Sequence, residues 1–437
     1  MGYAEFIKRA LSIAAAGAVV LSAGGCALQK GSGTDNTTIA AKELTAGLEN
    51  GKEEIVYCYD ISETDYEKFL SNAADFSLEL FKNSMDSHDS TLLSPVSVML
   101  ALGMTANGAA GETLVQMEQT LSGGIGIEDL NVYCRILLDT LADDADYEKC
   151  SFSIADSVWI KNSISENVKE EFLKAAASYY DAQIYGADFD GSTLNDVNNW
   201  VSENTDGMID SILEEIKADD IIYLINAVAF DAEWENIYDK NSVSDGEFTN
   251  IDNETVTAEM MYSDENKYIS GDNVTGFIKP YMGNCSFVAL LPDENVSLEE
   301  YAAGLDGKTF RNLINNAIDA TVHTATPKFN SGFSAELSQI LQNMGMKDAF
   351  SDTADFTNMG DWDNPVYIDR IIHKTFISVD ENGTKAGAST VVAITEEAAP
   401  EPQQKYTVIL DRPFMYAIVD DTTGMPVFIG TLTDIQM

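Results

Sequence analysis

The chain has 437 residues, 45% of them apolar, and a formal net charge of −47. That apolar share supports a sizeable core, and the length suits one large domain or two ordinary ones, since single cores stop growing beyond ~250–300 residues. So acidic a surface repels nucleic acid and anionic membranes, and because no dense acidic block accounts for the charge, a solvated ectodomain is expected rather than a disordered tail.

At the N-terminus, Lys8 and Arg9 precede an uncharged apolar run from Ala10 to Leu21. The run is shorter than the ~20 residues a bilayer span needs and has the pattern of a secretory signal. Leu21-Ser22-Ala23-Gly24-Gly25-Cys26 resembles a bacterial lipobox, with Ala23 where a leucine is usual. On this reading residues 1–25 are removed and Cys26 is the lipidated new N-terminus. A plain signal peptide with an incidental cysteine is the other reading. Two or more acyl chains would hold the mature protein to the cell membrane without spanning it. Residues 26–60, with Gly31-Ser32-Gly33-Thr34-Asp35-Asn36, read as a flexible tether. Residues 61–437 then form one domain, without an internal repeat or a later linker. Four further cysteines, Cys58, Cys134, Cys150 and Cys285, contain no C-x-x-C pair, which argues against a zinc or thioredoxin-type site. Their scatter fits buried thiols and leaves any disulfide pairing open.

Apolar residues at helical spacing (Phe69, Ala73, Phe76, Leu80) predict an amphipathic helix over 66–81. Leu92 and Leu93 read as a short strand, followed by Ser94 capping a helix with Pro95 in its first turn. That helix, to about Thr105, is apolar nearly all round and is expected to be buried. Gly103, Gly108 and Gly111 lack phosphate-loop and dinucleotide-loop spacing and mark a helix–helix junction instead. Helices near 166–180 and 193–204 precede an apolar strand from Ile221 to Phe230. Strands are expected around 267–279, 286–291 and 320–329, then a helix over 334–344. The tail gives strands at 376–379, 406–410, 414–419 and 427–431. Early helices followed by mostly antiparallel strands define an α+β fold class.

One stretch stands apart. From Asp380 to Pro402 the chain passes through Glu381, Gly383 and a run of small residues, becomes β-branched at Val391, Val392 and Ile394, and ends in an acidic tip. Exposed, each of those apolar side chains costs roughly 1.5–3 kcal/mol relative to burial, whereas a strand uses them well. With period two, Thr384, Ala386, Ala388, Thr390, Val392 and Ile394 share one face, and the other carries the only charge, Lys385. The stretch therefore reads as a strand withheld from its sheet. An ordinary edge strand near the C-terminus accounts for the same pattern.

Catalytic chemistry is poorly represented. Of the three histidines, His88 lies in a polar loop and His323 in a strand-like run, and the third is His373. There is no His-Glu-x-x-His motif, metal-ligand cluster or Gly-x-Ser-x-Gly elbow, so no metal or cofactor is expected. A dispersed Ser-His-Asp triad stays open, but no nucleophile stands out.

Taken in order, the motifs resemble the serpin family over roughly residues 60–437. Leu93-Ser94-Pro95-Val96-Ser97-Val98, Ala101-Leu102-Gly103-Met104 and Gly108-Ala109-Ala110-Gly111-Glu112-Thr113 match its early core. Asn198-Asn199-Trp200-Val201, Thr205-Asp206-Gly207 and Ile225-Asn226-Ala227-Val228-Ala229-Phe230 through Trp234 match its middle. Met260-Met261, Pro327-Lys328-Phe329, Met344-Gly345-Met346, His373 to Thr390, Asp411-Arg412-Pro413-Phe414 and Phe428-Ile429-Gly430 follow. The resemblance implies three β-sheets with about eight or nine helices and an exposed reactive-centre loop. It also implies suicide inhibition of serine proteases, in which the cleaved loop enters the main sheet and carries the trapped acyl-enzyme with it. About 15 residues at ~3.3 Å each span about 50 Å, enough to cross such a domain.

By resemblance, Glu381 opens the hinge and pairs with Lys328, and Gly383 gives the pivot its backbone freedom. Thr384, Ala386, Gly387, Ala388 and Ser389 are small enough to slip between parting strands, which distinguishes inhibitors from non-inhibitory relatives. Lys385 departs from the usual glutamate but falls on the wet face. Ser94, Ser97, Asn226 and His373 match the polar shutter beneath the sheet, and Trp234 with Lys328 the breach where insertion begins. Family spacing from Glu381 puts the reactive bond at Glu397-Ala398. Counting back from Pro413-Phe414 puts it nearer Pro402, so the bait lies within 395–399. Glu396 and Glu397 disfavour a trypsin-like pocket and favour a subtilisin-, elastase- or glutamyl-type protease. The expected protein is a monomeric inhibitor, not an enzyme, tethered outside a bacterial cell. The alternatives are a serpin-fold binding protein cleaved as a plain substrate and a lipid-anchored solute-binding protein.

Overall fold

The computed structural model describes residues 39–48, 61–86, 88–144, 150–217, 219–384 and 404–435. In chain order the first strands are β1 (Lys42–Glu43), β2 (Leu92–Leu93), β3 (Cys150–Lys161), β4 (Gln183–Ala187) and β5 (Ile222–Glu233). They are followed by β6 (Val243–Thr249), β7 (Thr255–Gly271), β8 (Val274–Pro280), β9 (Cys285–Pro292), β10 (Ile318–Pro327) and β11 (Phe329–Glu336). The last are β12 (Arg370–Val379), β13 (Gly383–Thr384), β14 (Lys405–Ile409), β15 (Phe414–Asp420) and β16 (Pro426–Leu432). The described helices that precede β5 are α1 (Glu63–Ser84), α2 (Pro95–Ala106), α3 (Gly111–Ser122), α4 (Ile127–Asp144), α5 (Asn162–Ser165), α6 (Glu170–Tyr180) and α7 (Gly191–Asn204).

Two hydrogen-bonded sheets organise the α+β fold. A seven-stranded sheet runs β1-β4-β3-β5-β13-β12-β11, and a nine-stranded one runs β14-β10-β7-β8-β9-β15-β16-β2 with β6 paired to β7. The second contains two of the three expected sheets, because the long β7 pairs with β6 at one end, β10 along its middle and β8 at the other end. β10 and β11 belong to different sheets and are separated by Lys328 alone. The reading of one strand over 320–329 therefore resolves into two, divided where the chain changes sheet.

The main core lies between the sheets, around α2, all of whose residues are buried. A second, smaller core covers the opposite face of the seven-stranded sheet, where Val197, Trp200 and Val201 of α7 pack on Trp159, Tyr223 and Ile225. Strand burial follows from alternation: on β5, Leu224 and Val228 face the main core while Tyr223, Ile225 and Ala227 face the second.

Two expectations are corrected. Ser94 occupies the N-cap position of α2, but its hydroxyl makes no cap hydrogen bond. Its backbone N–H is drawn to His373 instead. Residues 39–48, assigned by sequence to the tether, dock on the domain: β1 pairs with β4, and the Ala40 and Ala41 N–H groups donate to the Asp196 carboxylate at 3.1 and 2.8 Å. Ile39 and Ala41 bury apolar surface against the second core, which a polar linker cannot do. Among the described residues, no helix is long and apolar enough to cross a membrane.

Candidate functional site

The seam between β5 and β12 is the unusual feature of the seven-stranded sheet. The two strands run parallel and pair directly from Tyr223/Arg370 to Ala229/Phe376. Beyond that point they part, and β13 occupies the gap, antiparallel to both. Gly383 lies opposite Glu233, and Thr384 lies opposite Ala232 on one side and Val379 on the other. A Cβ at Gly383 would fall 1.9 Å from the Ala232 carbonyl oxygen, so only glycine fits. Thr384 is fully buried, and its hydroxyl lies 2.5 Å from that of Tyr281.

The turn leading into β13 is tied down at several points. The Asp380 carboxylate accepts from the Asn382 and Gly383 N–H groups at 2.6 and 3.2 Å, an Asx-type turn. Trp234, almost fully buried, donates from its indole nitrogen to the Asp380 carbonyl at 2.9 Å and stacks on Tyr281 with ring centroids 4.2 Å apart. Lys328 Nζ lies 2.8 Å from Glu381 and 3.4 Å from Glu259. The hydrogen bond from Lys328 holds the Glu381 carboxyl below its ordinary value despite partial burial. Beneath the turn, a buried ion pair joins Lys279 and Glu265 at 2.7 Å, and the ammonium sits 4.2 Å from the centre of the Tyr238 ring.

Midway along the seam a polar row crosses three strands. Asp156 on β3 pairs with Asn226 on β5, and Asn226 with His373 on β12. The Asn226 amide donates to Asp156 at 2.5 Å and, in a short bond, to the hydroxyl of Ser97 on α2. His373 Nε2 accepts from the Ser94 backbone N–H at 3.1 Å. Nδ1 therefore carries the proton and donates to the Asn226 carbonyl oxygen in another short bond. Burial drives the His373 imidazole down to about 3, keeping it neutral. Burial likewise pushes the Asp156 carboxyl up to about 7, against the lowering hydrogen bond from Asn226. The row lies above fully buried α2, with Asn226 and His373 fully buried and Asp156 nearly so, and this burial explains both shifts.

The residues singled out by sequence thus fall into two groups on one seam. Glu381, Gly383, Thr384, Trp234 and Lys328 meet at its open end; Ser94, Ser97, Asn226 and His373 meet at its middle. Ala386, Gly387, Ala388, Ser389, Glu397, Ala398, Cys26 and Cys58 lie outside the described residues. Sequence reasoning missed Asp156 and Tyr281. Asp156 had a signal, since it is the one charged residue in the alternation Phe152, Ile154, Asp156, Val158, Ile160. Tyr281 had none, because only the fold brings it to Thr384. Among the described residues, no group of histidine, cysteine or acidic side chains is placed to hold a metal ion.

The chain that forms this seam and polar row is similar to known proteins over most of its length. The profile of the family described as Serpin (serine protease inhibitor) matches residues 71–435, and the chain belongs to that family. The native-state crystal structure of tengpin, a thermophilic serpin, is similar at 48% identity and TM-score 0.79, covering 86% of this chain and 96% of that one. Its latent-state structure matches at 46% identity and TM-score 0.74, covering 86% and 100%. An uncharacterised serpin-like protein of Thermococcus kodakarensis is 30% identical over 380 residues, 86% of this chain and 88% of its own length. Human thyroxine-binding globulin, at 24% identity, TM-score 0.75 and coverage of 85% and 100%, shares the fold. Serpins are mainly protease inhibitors and not enzymes.

Proposed function

We propose that the protein is an irreversible suicide-substrate inhibitor of serine proteases. One observation carries the reading: β13 already lies between β5 and β12 in the antiparallel register a full inserted strand would use. Continued downward, that register sets Ala386 opposite Phe230 and Ile377, Ala388 opposite Val228 and Thr375, and Thr390 opposite Asn226 and His373. All these positions share the face on which Thr384 is buried, so the small and β-branched residues of the loop would enter the main core. Lys385 would stay on the other face.

The chemistry follows. The serine of the protease attacks the carbonyl of the bait residue, the peptide C–N bond breaks, and the new amino terminus departs, leaving an ester between protease and loop. The freed loop then adds to the seam, replacing the parallel β5–β12 pairing with two antiparallel ladders and carrying the protease along before water can hydrolyse the ester. Glu381 and Gly383 act as pivot, Trp234 and Lys328 line the point of insertion, and Ser94, Ser97, Asn226 and His373 let the strands part. Glu397-Ala398 is the proposed bond, and a subtilisin-, elastase- or glutamyl-type protease the proposed target. Cys26 is proposed as the lipid anchor of a monomer held outside a bacterial cell.

Incubation with a panel of such proteases tests the reading. A covalent complex that survives SDS, with a released C-terminal peptide beginning within residues 396–400, is the expected result. Cleavage without a complex would make the protein a plain substrate and overturn it.

A further inference from the structure

The sulfurs of Cys150 and Cys285 lie 3.5 Å apart in the interior, where either thiol can donate to the other. Neither side chain is exposed beyond 3%. The pair bridges the two sheets: Cys150 begins β3 and pairs with Ala232 of β5, while Cys285 begins β9 and pairs with Asp420 of β15. It also adjoins the mouth of the seam. The Tyr281 N–H donates to the Cys285 carbonyl at 3.0 Å, and the Tyr281 hydroxyl meets Thr384. We propose that Cys150 and Cys285 are a redox-modification site whose oxidation cross-links the two sheets and locks the seam against opening. The proposal rests on the reading above that the seam opens.

The lock follows from which flank of the seam can move. A strand entering between β5 and β12 must shift one flank over the nine-stranded sheet. The β11–β12 flank is anchored there, because β11 continues from β10 through Lys328 alone and the Thr375 hydroxyl of β12 donates to the Leu92 carbonyl of β2 at 2.8 Å. The β3–β5 flank, joined by a ladder from Ile160/Ile222 to Cys150/Ala232, meets the nine-stranded sheet at the seam mouth through reversible hydrogen bonds, Met282 N–H to the Glu233 carbonyl at 2.8 Å and Glu235 N–H to the Pro280 carbonyl at 3.0 Å, and is the flank proposed to slide. A bond from Cys150 to Cys285 fixes this flank at the end where a strand arrives. A disulfide needs the sulfurs about 2.0 Å apart, so they must close by about 1.5 Å from their 3.5 Å contact.

The oxidant is a low-molecular-weight disulfide. One thiolate attacks a sulfur of oxidised glutathione and releases one glutathione; the second thiolate displaces the other. Two thiols lose two protons and two electrons, and the glutathione disulfide is reduced to two thiols. Because both sulfurs are buried, the reaction proceeds from transiently opened molecules and is slow.

The test uses the full chain incubated with oxidised glutathione. Non-reducing peptide mapping should show the Cys150 and Cys285 peptides linked. A synthetic peptide of residues 384–397 is then added, and its uptake into the sheet is followed by the rise in melting temperature. The reduced protein should take up the peptide, and the linked form should do so about tenfold more slowly or worse, a barrier of about 1.4 kcal/mol. Dithiothreitol should restore the rate, and Cys150→Ala should behave as the reduced protein with or without oxidant. Absence of the link, or equal uptake by linked and reduced forms, overturns the lock alone. No uptake by either form overturns both the lock and the reading of an expandable sheet.

Discussion

His373 and Asn226 form one rung of the parallel ladder between the two central strands, and the imidazole Nδ1–H donates directly across it to the asparagine carbonyl oxygen. A strand entering the seam must break this bond. Continued from β13, it brings a threonine, Thr390, to the same rung, whose hydroxyl can both donate and accept. The row is thus satisfied with the seam closed and can be satisfied again with it open, which is what a two-state sheet needs.

Removing the histidine should destabilise only the closed form strongly. His373→Ala leaves the buried Ser94 N–H and Asn226 carbonyl oxygen without their partner, at a cost of about 1–3 kcal/mol. Urea unfolding of the intact protein should show that loss, while the loop-cleaved form should lose less.

The same row should make stability depend on pH in two opposing ways. Asp156 is raised from 3.8 to about 7, so its contribution is full below 3.8 and is lost as pH rises through 7. His373 is lowered from 6.5 to about 3, so its contribution is full above 6.5 and is lost as pH falls toward 3. Each changes stability by about 1.4 kcal/mol per pH unit inside its window, and between 3.8 and 6.5 they cancel. Relative to the unaltered protein, Asp156→Asn should lose stability as pH falls from about 7 to 3.8, and His373→Gln as pH rises from about 3 to 6.5. Denaturant titrations at stepped pH read both slopes; parallel curves for all three proteins would refute the assignment.

The ion pair at the hinge should matter less. Lys328 and Glu381 are each about one-quarter exposed, so Glu381→Gln should cost about 1 kcal/mol or less. Thermal unfolding measures it.

Thr384 should decide whether the loop can enter at all. It is fully buried between Ala232 and Val379, and an arginine there would place a charge in the core at a cost of several kcal/mol. Thr384→Arg should be cleaved at the normal rate but form little or no covalent complex, as densitometry of SDS gels would show. Undiminished complex formation would mean that the loop does not enter along this register.

Much of the architecture was legible because periodicity and burial agree. The buried α2 is apolar nearly all round, and β5, β15 and β16 are near-continuous apolar runs buried on both faces, so each reads directly as a core element. β3 was overlooked because Asp156 interrupts its inner row and serines occupy much of its outer one; the strand is disguised by the residue that serves the site. The Glu381–Lys328 contact could be anticipated only through family resemblance, since the two lie 53 positions apart and on different elements. Tyr281 and the Cys150–Cys285 pair could not be anticipated, because packing between sheets leaves no periodic trace. The docking of residues 39–48 escaped for a related reason: Ile39 and Ala41 are too few to register as an apolar pattern.

The central claim is that the intact fold lies above another that the same chain can reach by gaining a central strand. Its most direct test is to cleave the chain once within residues 395–399 and compare melting temperatures before and after. The account predicts a large rise, with residues 384–394 protected from further proteolysis. An unchanged or lower melting temperature, with the loop still open to digestion, would contradict it.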